Sequence, residues 1–319
     1  FDAPHDIPEP PVEPGIDECD WELAEGEIQD QSQEVFRSWA CHSFRWFDGW
    51  WGDEQDYPER DLAGMVLVGA EYNQYEGFDP RMRLRVRAPL PNFSRRWDLM
   101  FGRVDEEAFV TDQQTQDQML FNPALTNNDQ EDAWILGLGH RRGRQRKGWD
   151  WSIGMRLRLP PEPYVKTQYF YNQKYGEATD LRFRQTFFWR SDQGFGTTSR
   201  AFLTQGLNAK NVMRREGILT FSEEAEGAKW YAGHTLYHLF SGTHAFSLLT
   251  FARGESDAEV GLHDIGFKFI WRRPWTRDWL FLSMGPTVTW PREKREEERE
   301  LSLGFGMWLE MQFGNWRYQ

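Results

Sequence analysis

The chain has 319 residues, a net charge of −13 and a mean hydropathy of −0.75. The acidic balance argues against nucleic acid as a partner. No apolar run approaches the roughly 18 residues a membrane helix needs. A membrane barrel stays open, because its strands show lipid only at alternate residues and average out as polar. The 17 Trp, 24 Phe and 10 Tyr make 16% of the chain. That content suits a barrel with aromatic girdles at two lipid–water interfaces.

Residues 1–60 differ from the rest. "FDAPHDIPEPPVEPG" is rich in Pro and acid and reads as an extended lead-in. Val35, Trp39, Phe44 and Phe47 lie roughly at helical spacing and predict a short amphipathic helix around 30–46. Its aromatic side can pack on a barrel mouth, enter the lumen as a plug or lie in the membrane interface. Cys19 and Cys41 are the only cysteines. In an exported protein they predict one disulfide; two free buried thiols are the alternative. The chain begins at Phe1 without a signal peptide, as a processed mature chain would.

From residue 62 the pattern has a period of two. It predicts strands near 62–73, 80–90, 96–104, 133–142, 148–159, 163–174, 179–191, 195–207, 210–222, 227–240, 243–254, 260–273, 277–290 and 300–313. Most have the length a tilted strand needs to cross hydrocarbon. In the second, Arg81, Arg83, Arg85 and Arg87 alternate with Met82, Leu84, Val86 and Ala88. In 149–159, Trp149, Trp151, Ile153, Met155, Leu157 and Leu159 oppose Asp150, Ser152, Gly154, Arg156 and Arg158. The last strand sets Leu301, Leu303, Phe305, Met307, Leu309, Met311 and Phe313 against mostly small or polar residues. The stretches 210–222 and 227–240 alternate poorly and their faces are not assigned.

The connections 208–211, 241–243 and 274–277 are tight. By contrast, 111–132 is long and acidic and 290–300 is a charge run. Both long connections follow odd-numbered strands, as outer loops would if both termini were periplasmic. The expectation is an all-β, antiparallel, up-and-down transmembrane barrel over 61–314, with 14 strands (12 is the alternative). Residues 1–60 form a periplasmic or plug segment, and 315–319 a tail.

A soluble sandwich explains one strand of this kind. It explains the set less well, since so many long strands with Trp and Phe on one side overfill a sandwich core and leave edges to protect. Closure removes the edges. Charges on a lipid face cost about 2–4 kcal/mol each at midplane. Arg83, Arg85, Arg87, Arg103, Arg156, Arg158, Arg182, Arg184, Lys268 and Arg272 are therefore expected to point inward. Glu71, Asp98, Asp150, Asp264 and Glu310 are candidates to pair with some of them. The rows then form either a basic wall that favours anionic solutes or an interlocked structural interior.

His234, His238, His244 and His263 cluster in the second half. They lack fixed metal-ligand spacing, no G-x-S-x-G is present, and "SGTH" does not match the His-x-Ser of outer-membrane phospholipases. A lipid-modifying enzyme is thus the third reading, after a porin-like channel and a non-conducting barrel plugged by, or docked through, residues 1–60. No cofactor or metal is indicated. Expected partners are outer-membrane lipid and lipopolysaccharide, and a periplasmic protein through residues 1–60.

"ELSLGFGMWLEMQFG" looks like the terminal strand recognised by the barrel-assembly machinery, although "GNWRYQ" follows Phe313. "RWFDGWWGD" (45–53), "LRFRQTFFWRSDQGFG" (181–196) and "WLFLSMGPTVTWPRE" (279–293) together resemble an uncharacterised family of Gram-negative outer-membrane β-barrel proteins. The resemblance implies a barrel in the outer membrane. It carries no catalytic residue to this chain.

Overall fold

In an alternating strand one face is polar and the other apolar, and such strands are stable only when both faces find matching surroundings. The computed structural model shows how this chain arranges that. It describes residues 63–314 apart from 91–93, 106–109, 111–131, 141–145, 177, 224, 226, 241–243, 278 and 293. The expected helix, the Cys19–Cys41 pair and the tail lie outside the described residues.

Fourteen strands run in chain order: β1 (Ala63–Asn73), β2 (Gly77–Leu90), β3 (Ser94–Asp105), β4 (Asp132–His140), β5 (Lys147–Arg156), β6 (Glu162–Tyr175), β7 (Thr179–Arg190), β8 (Gly194–Gly206), β9 (Asn211–Ser222), β10 (Lys229–Leu239), β11 (Ala245–Glu255), β12 (Asp264–Pro274), β13 (Leu280–Thr289) and β14 (Ser302–Gly314). Each pairs with its neighbour in sequence. β14 returns to β1, with Val66 opposite Met311 and Glu71 opposite Gly306, so the sheet is a closed antiparallel barrel. The 12-strand alternative is overtaken by β4, β5 and β6, which are separate strands joined at 141–146 and 157–161.

The hairpins follow from local chemistry. Between β1 and β2, Asn73 Oδ1 accepts from the backbone N–H of Tyr75 (3.0 Å) and of Glu76 (2.7 Å). This side chain mimics a backbone turn. Gly77 follows with φ +86°, a conformation that costs glycine no clash. Both chain ends, and all the turns from an even to an odd strand, lie at one end of the barrel, here the terminal end. The long connections 106–131 and 290–301 lie at the other, the loop end.

Facing residues of paired strands share a face, so the register fixes both surfaces. One surface carries large, exposed apolar groups all the way round: Met82, Ile153, Phe187, Phe221, Phe267 and Met307 among them. Aromatic pairs sit near its ends, such as Trp149–Tyr169 with centroids 5.3 Å apart and Trp189–Phe195 at 6.5 Å. A closed wall with this exterior leaves no unpaired edge and matches what hydrocarbon requires.

Candidate functional site

The other surface is polar. That it is the interior follows from ion pairs that skip strands. Lys268 on β12 places Nζ 3.7 Å from Glu71 Oε1 on β1, with β13 and β14 between them in the wall. Arg272 on β12 holds Glu310 on β14 through two bonds, at 2.8 and 3.2 Å. Such pairs can form only across the inside.

On β2 the register sets Arg81, Arg83, Arg85 and Arg87 opposite Gly69, Leu67, Met65 and Ala63, all on the inward face. Arg87 donates to Asp98 on β3 through Nη2 (2.7 Å) and Nε (3.2 Å). Arg156 meets Glu162 at 2.6 Å and Asp192 at 3.8 Å, and Asp192 also takes Arg190 at 2.6 Å. On β7, Arg182 and Arg184 face inward opposite Phe202 and Arg200 of β8, and Arg182 binds Asp180 at 2.7 Å. Arg200 is buried and holds Glu216 at 2.8 Å. The Phe202 ring lies between two guanidinium groups, 5.0 Å from that of Arg200 and 4.3 Å from that of Arg214. Buried charges persist only when paired and hydrogen-bonded, and these pairs supply that condition.

The interior is not uniformly polar. Leu67, Tyr237, Ala245, Ile270 and Trp308 form a buried cluster near the terminal end, with Val212 and Leu239 against it. It links β1 to β10 across four intervening strands. A second cluster joins Ile135, Tyr164 and Phe188 to Val110, which lies in the β3–β4 connection. Glycines make room for these rings. A methyl group on Gly69 would come within 2.5 Å of the Trp308 indole, and one on Gly154 within 2.6 Å of the Tyr164 hydroxyl.

Two of the sequence-derived lumen positions need correction. Arg103 pairs with Leu84 and Trp134, so it stands on the outer face, close to the loop end of β3. Arg158 lies beyond β5, exposed in the 157–161 connection. The strand stops at Arg156 because Pro160 and Pro161 follow, and proline has no N–H for a ladder. The other eight stand on the inward face: Arg83, Arg85, Arg87, Arg156, Arg182, Arg184, Lys268 and Arg272.

Sequence reading missed Arg190, Arg200, Arg214 and Arg253. Arg214 and Arg215 are adjacent, so one must face out. The register puts Arg214 inward, opposite Thr204 and Thr235. Arg215 lies outward and donates to Gln205 at 3.0 Å. Parity carried through the hairpin from the clear β7 to β8 could have found Arg200.

His238 belongs to the outer aromatic surface. Its Nδ1 lies 2.8 Å from Asn211 Oδ1 and its ring stacks on Phe246 at 5.1 Å. Among the described residues no group of three or more His, Cys, Asp or Glu is placed to hold a metal ion.

No protein-family model matches the chain, and no curated protein sequence matches it. Solved structures similar in shape include an anion-selective porin from Comamonas acidovorans, at 8% identity and a TM-score of 0.46, over 79% of this chain and 98% of that one. OprB of Pseudomonas putida, solved at high pH, gives 8% and 0.47 over 79% and 93%. A KdgM porin gives 6% and 0.37 over 78% and 99%. At these identities and scores nothing about solutes passes from those proteins to this chain.

Proposed function

We propose that this chain is an outer-membrane, porin-like barrel, with both termini in the periplasm, that passes small anionic solutes through a cation-rich interior. The observation that carries the reading is the inward face itself. Its arginines and lysines outnumber its carboxylates, although the whole chain carries −13. A wall of one sign focuses potential into the lumen and raises the local concentration of the opposite ion. The apolar, aromatic-rich exterior supports the membrane assignment. The short turns at the terminal end support its periplasmic placement, since such barrels keep short turns on that side. Outer-membrane lipid and lipopolysaccharide are the expected surroundings, and the barrel-assembly machinery the expected partner during biogenesis.

A planar bilayer with a salt gradient tests this reading. The expected result is a reversal potential of anion-selective sign. It should shift toward zero in an Arg83/Arg85/Arg87→Ser variant and in an Arg182/Arg184→Ser variant. Conductance that is cation-selective, or unchanged in both variants, would count against the basic path.

A second reading has its own support. The cluster from Leu67 to Tyr237 crosses the interior near the terminal end, and the Lys268–Glu71 pair crosses it in the loop half. They favour a closed barrel that acts as a structural or interaction platform, with residues 1–60 reaching a periplasmic protein. Silence in the bilayer, with the barrel folded, would select that reading.

A further inference from the structure

The apolar coat of the barrel is interrupted on one side. His234 and Thr250 are the central residues of β10 and β11, and the register sets them side by side on the outer face. Arg215 on β9 stands next in the same row, opposite His234. His234 and Arg215 are both exposed. The His234 imidazole has no hydrogen-bond partner. Arg215 donates to Gln205 at 3.0 Å and to Met213 Sδ at 3.8 Å, and it has no carboxylate partner. Hydrocarbon offers such groups nothing, and a charge facing lipid in the middle of a barrel strand is strongly disfavoured. Away from this side the same place is apolar. Val68 is the central residue of β1 and Phe269 of β12, and both are exposed on the outer face.

The row beside these polar groups is flat. Ala201 on β8 pairs with Gly217 on β9, Gly217 with Ala232 on β10, and Ala232 with Ala252 on β11. Four neighbouring strands thus show no outward side chain larger than a methyl group at this level. A Cβ on Gly217 would meet nothing within 4 Å among the described residues. On β7 and β8 the polar band continues, with Ser199 donating to Gln185 at 2.7 Å and Gln185 to Thr197 at 2.6 Å. Small residues let two membrane walls approach closely enough for polar groups to meet. A water-soluble partner does not reach the middle of the strands. What answers these groups is another wall with donors and acceptors at the same depth. A second copy of this chain, inserted in the same orientation, has them at that depth by identity. A two-fold axis along the membrane normal then sets the strip against itself. The strip crosses β7–β11, about 20 Å at the usual strand spacing, and follows residues 197–205 of β8 for about 27 Å. Two such faces bury on the order of 1,000 Å², the size a specific interface needs.

We infer that two copies of this chain pair in the membrane through the outer face of β7–β11. Polar groups of the second copy answer Arg215 and His234, and the row from Ala201 to Ala252 is the plane of closest approach. The opposite wall, around β1 and β14, stays against lipid. The inference rests on the membrane placement proposed above and does not depend on what the barrel conducts.

Cysteine cross-linking in outer-membrane vesicles tests it. In a full-length Cys19→Ser, Cys41→Ser background, a single cysteine replaces Gly217, Ala232 or His234 on the strip, or Val68 or Met307 on the opposite wall. A short bismaleimide is added, and folding is checked by the gel mobility of the unheated barrel. The expected result is a covalent dimer of this chain from at least one strip position, at least fivefold above either control position. Equal yields from both walls, no dimer from any strip position, or a bridge from the strip to a different protein would each overturn the inference. A second measurement decides the matter where the cysteine variants fold poorly. Light scattering in mild detergent should give the unsubstituted barrel the mass of two protein copies, and Ala232→Trp should halve it. One copy for the unsubstituted chain, or no change in the Trp variant, would overturn the pairing. Recovery of the barrel from the soluble fraction would remove the membrane placement and the pairing together. A folded monomer in the membrane would remove the pairing alone.

Discussion

The two sides of the lumen solve the problem of inward charge differently. On the β12–β14–β1 side the charges are locked away. The Lys268 side chain is 6% exposed against Glu71, and Arg272 grips Glu310 with both ends of its guanidinium. Trp308 fills the space beside them. On the β6–β7 side the groups stay half open. The Arg182 side chain is 35% exposed beside Asp180, and Arg184, Asn172 and Phe170 are only partly covered. One side thus behaves as a protein core with ions in it, the other as a wetted wall. Buried pairs fix geometry at a high desolvation cost, while exposed pairs contribute little to stability but keep their field available to solutes. One side holds shape, and on the proposed function the other offers its charges to solutes.

The sharpest way to break this contrast is to split a locked pair. Arg272→Ala leaves the Glu310 carboxylate buried without its partner, which costs about 3–5 kcal/mol. The denaturation midpoint of the barrel in detergent should fall accordingly. An Arg272→Met, Glu310→Met double variant should recover most of the loss, because volume-matched apolar groups replace buried pairs at little cost. If Arg272→Ala were neutral, the pair would be wet and the two sides alike.

The outer wall gives the next largest effect. Met307 is 53% exposed and faces out, opposite Met284 and Ala70. Met307→Arg should destabilise the barrel by about 2–4 kcal/mol in lipid, as a midplane charge does. In a soluble sheet the same change would be nearly silent. Smaller again is Gly69→Val, which drives a branched side chain against the Met307 carbonyl and the Trp308 ring. Overpacking of this kind costs about 1–3 kcal/mol, and Trp308→Ala in the same chain should relieve part of it. Both are read from urea midpoints.

The number of strands was legible because period-two alternation survives in most of them, and in β2, β5, β12 and β14 it also identified the faces. It failed where the interior is itself apolar. In β9, Val212 and Ile218 face inward and Arg215 faces out, so hydrophobicity and direction disagree. In β10, Tyr231 and Tyr237 face inward while His234 and His238 face out. The inward arginines were readable as a class, since charge avoids lipid. Near a strand's end that rule loses force. Arg103 stands on the outer face two residues from the end of β3, close enough to the interface for its long side chain to reach polar surroundings. Ion pairs between strands distant in sequence, such as Lys268–Glu71, depend on barrel closure and left no local signal.

The smallest expected change in stability belongs to the open side, and it carries the most information about function. Arg182 and Arg184 sit opposite Phe202 and Arg200 on the neighbouring strand and opposite Asn172 and Phe170 on β6. Replacing both by Ser removes two partly exposed cations, a change of less than about 1 kcal/mol for pairs of this kind. The midpoint should therefore stay almost fixed. The reversal potential under a salt gradient should nonetheless move toward zero, since field strength at a wetted wall scales with the charges that face the water. The same substitution pattern on the locked side inverts the signature: Arg272 variants should move the midpoint and leave selectivity nearly unchanged. If both sides moved both readouts, the ions of the interior would form one coupled network, and the division between a structural and a conducting side would fall.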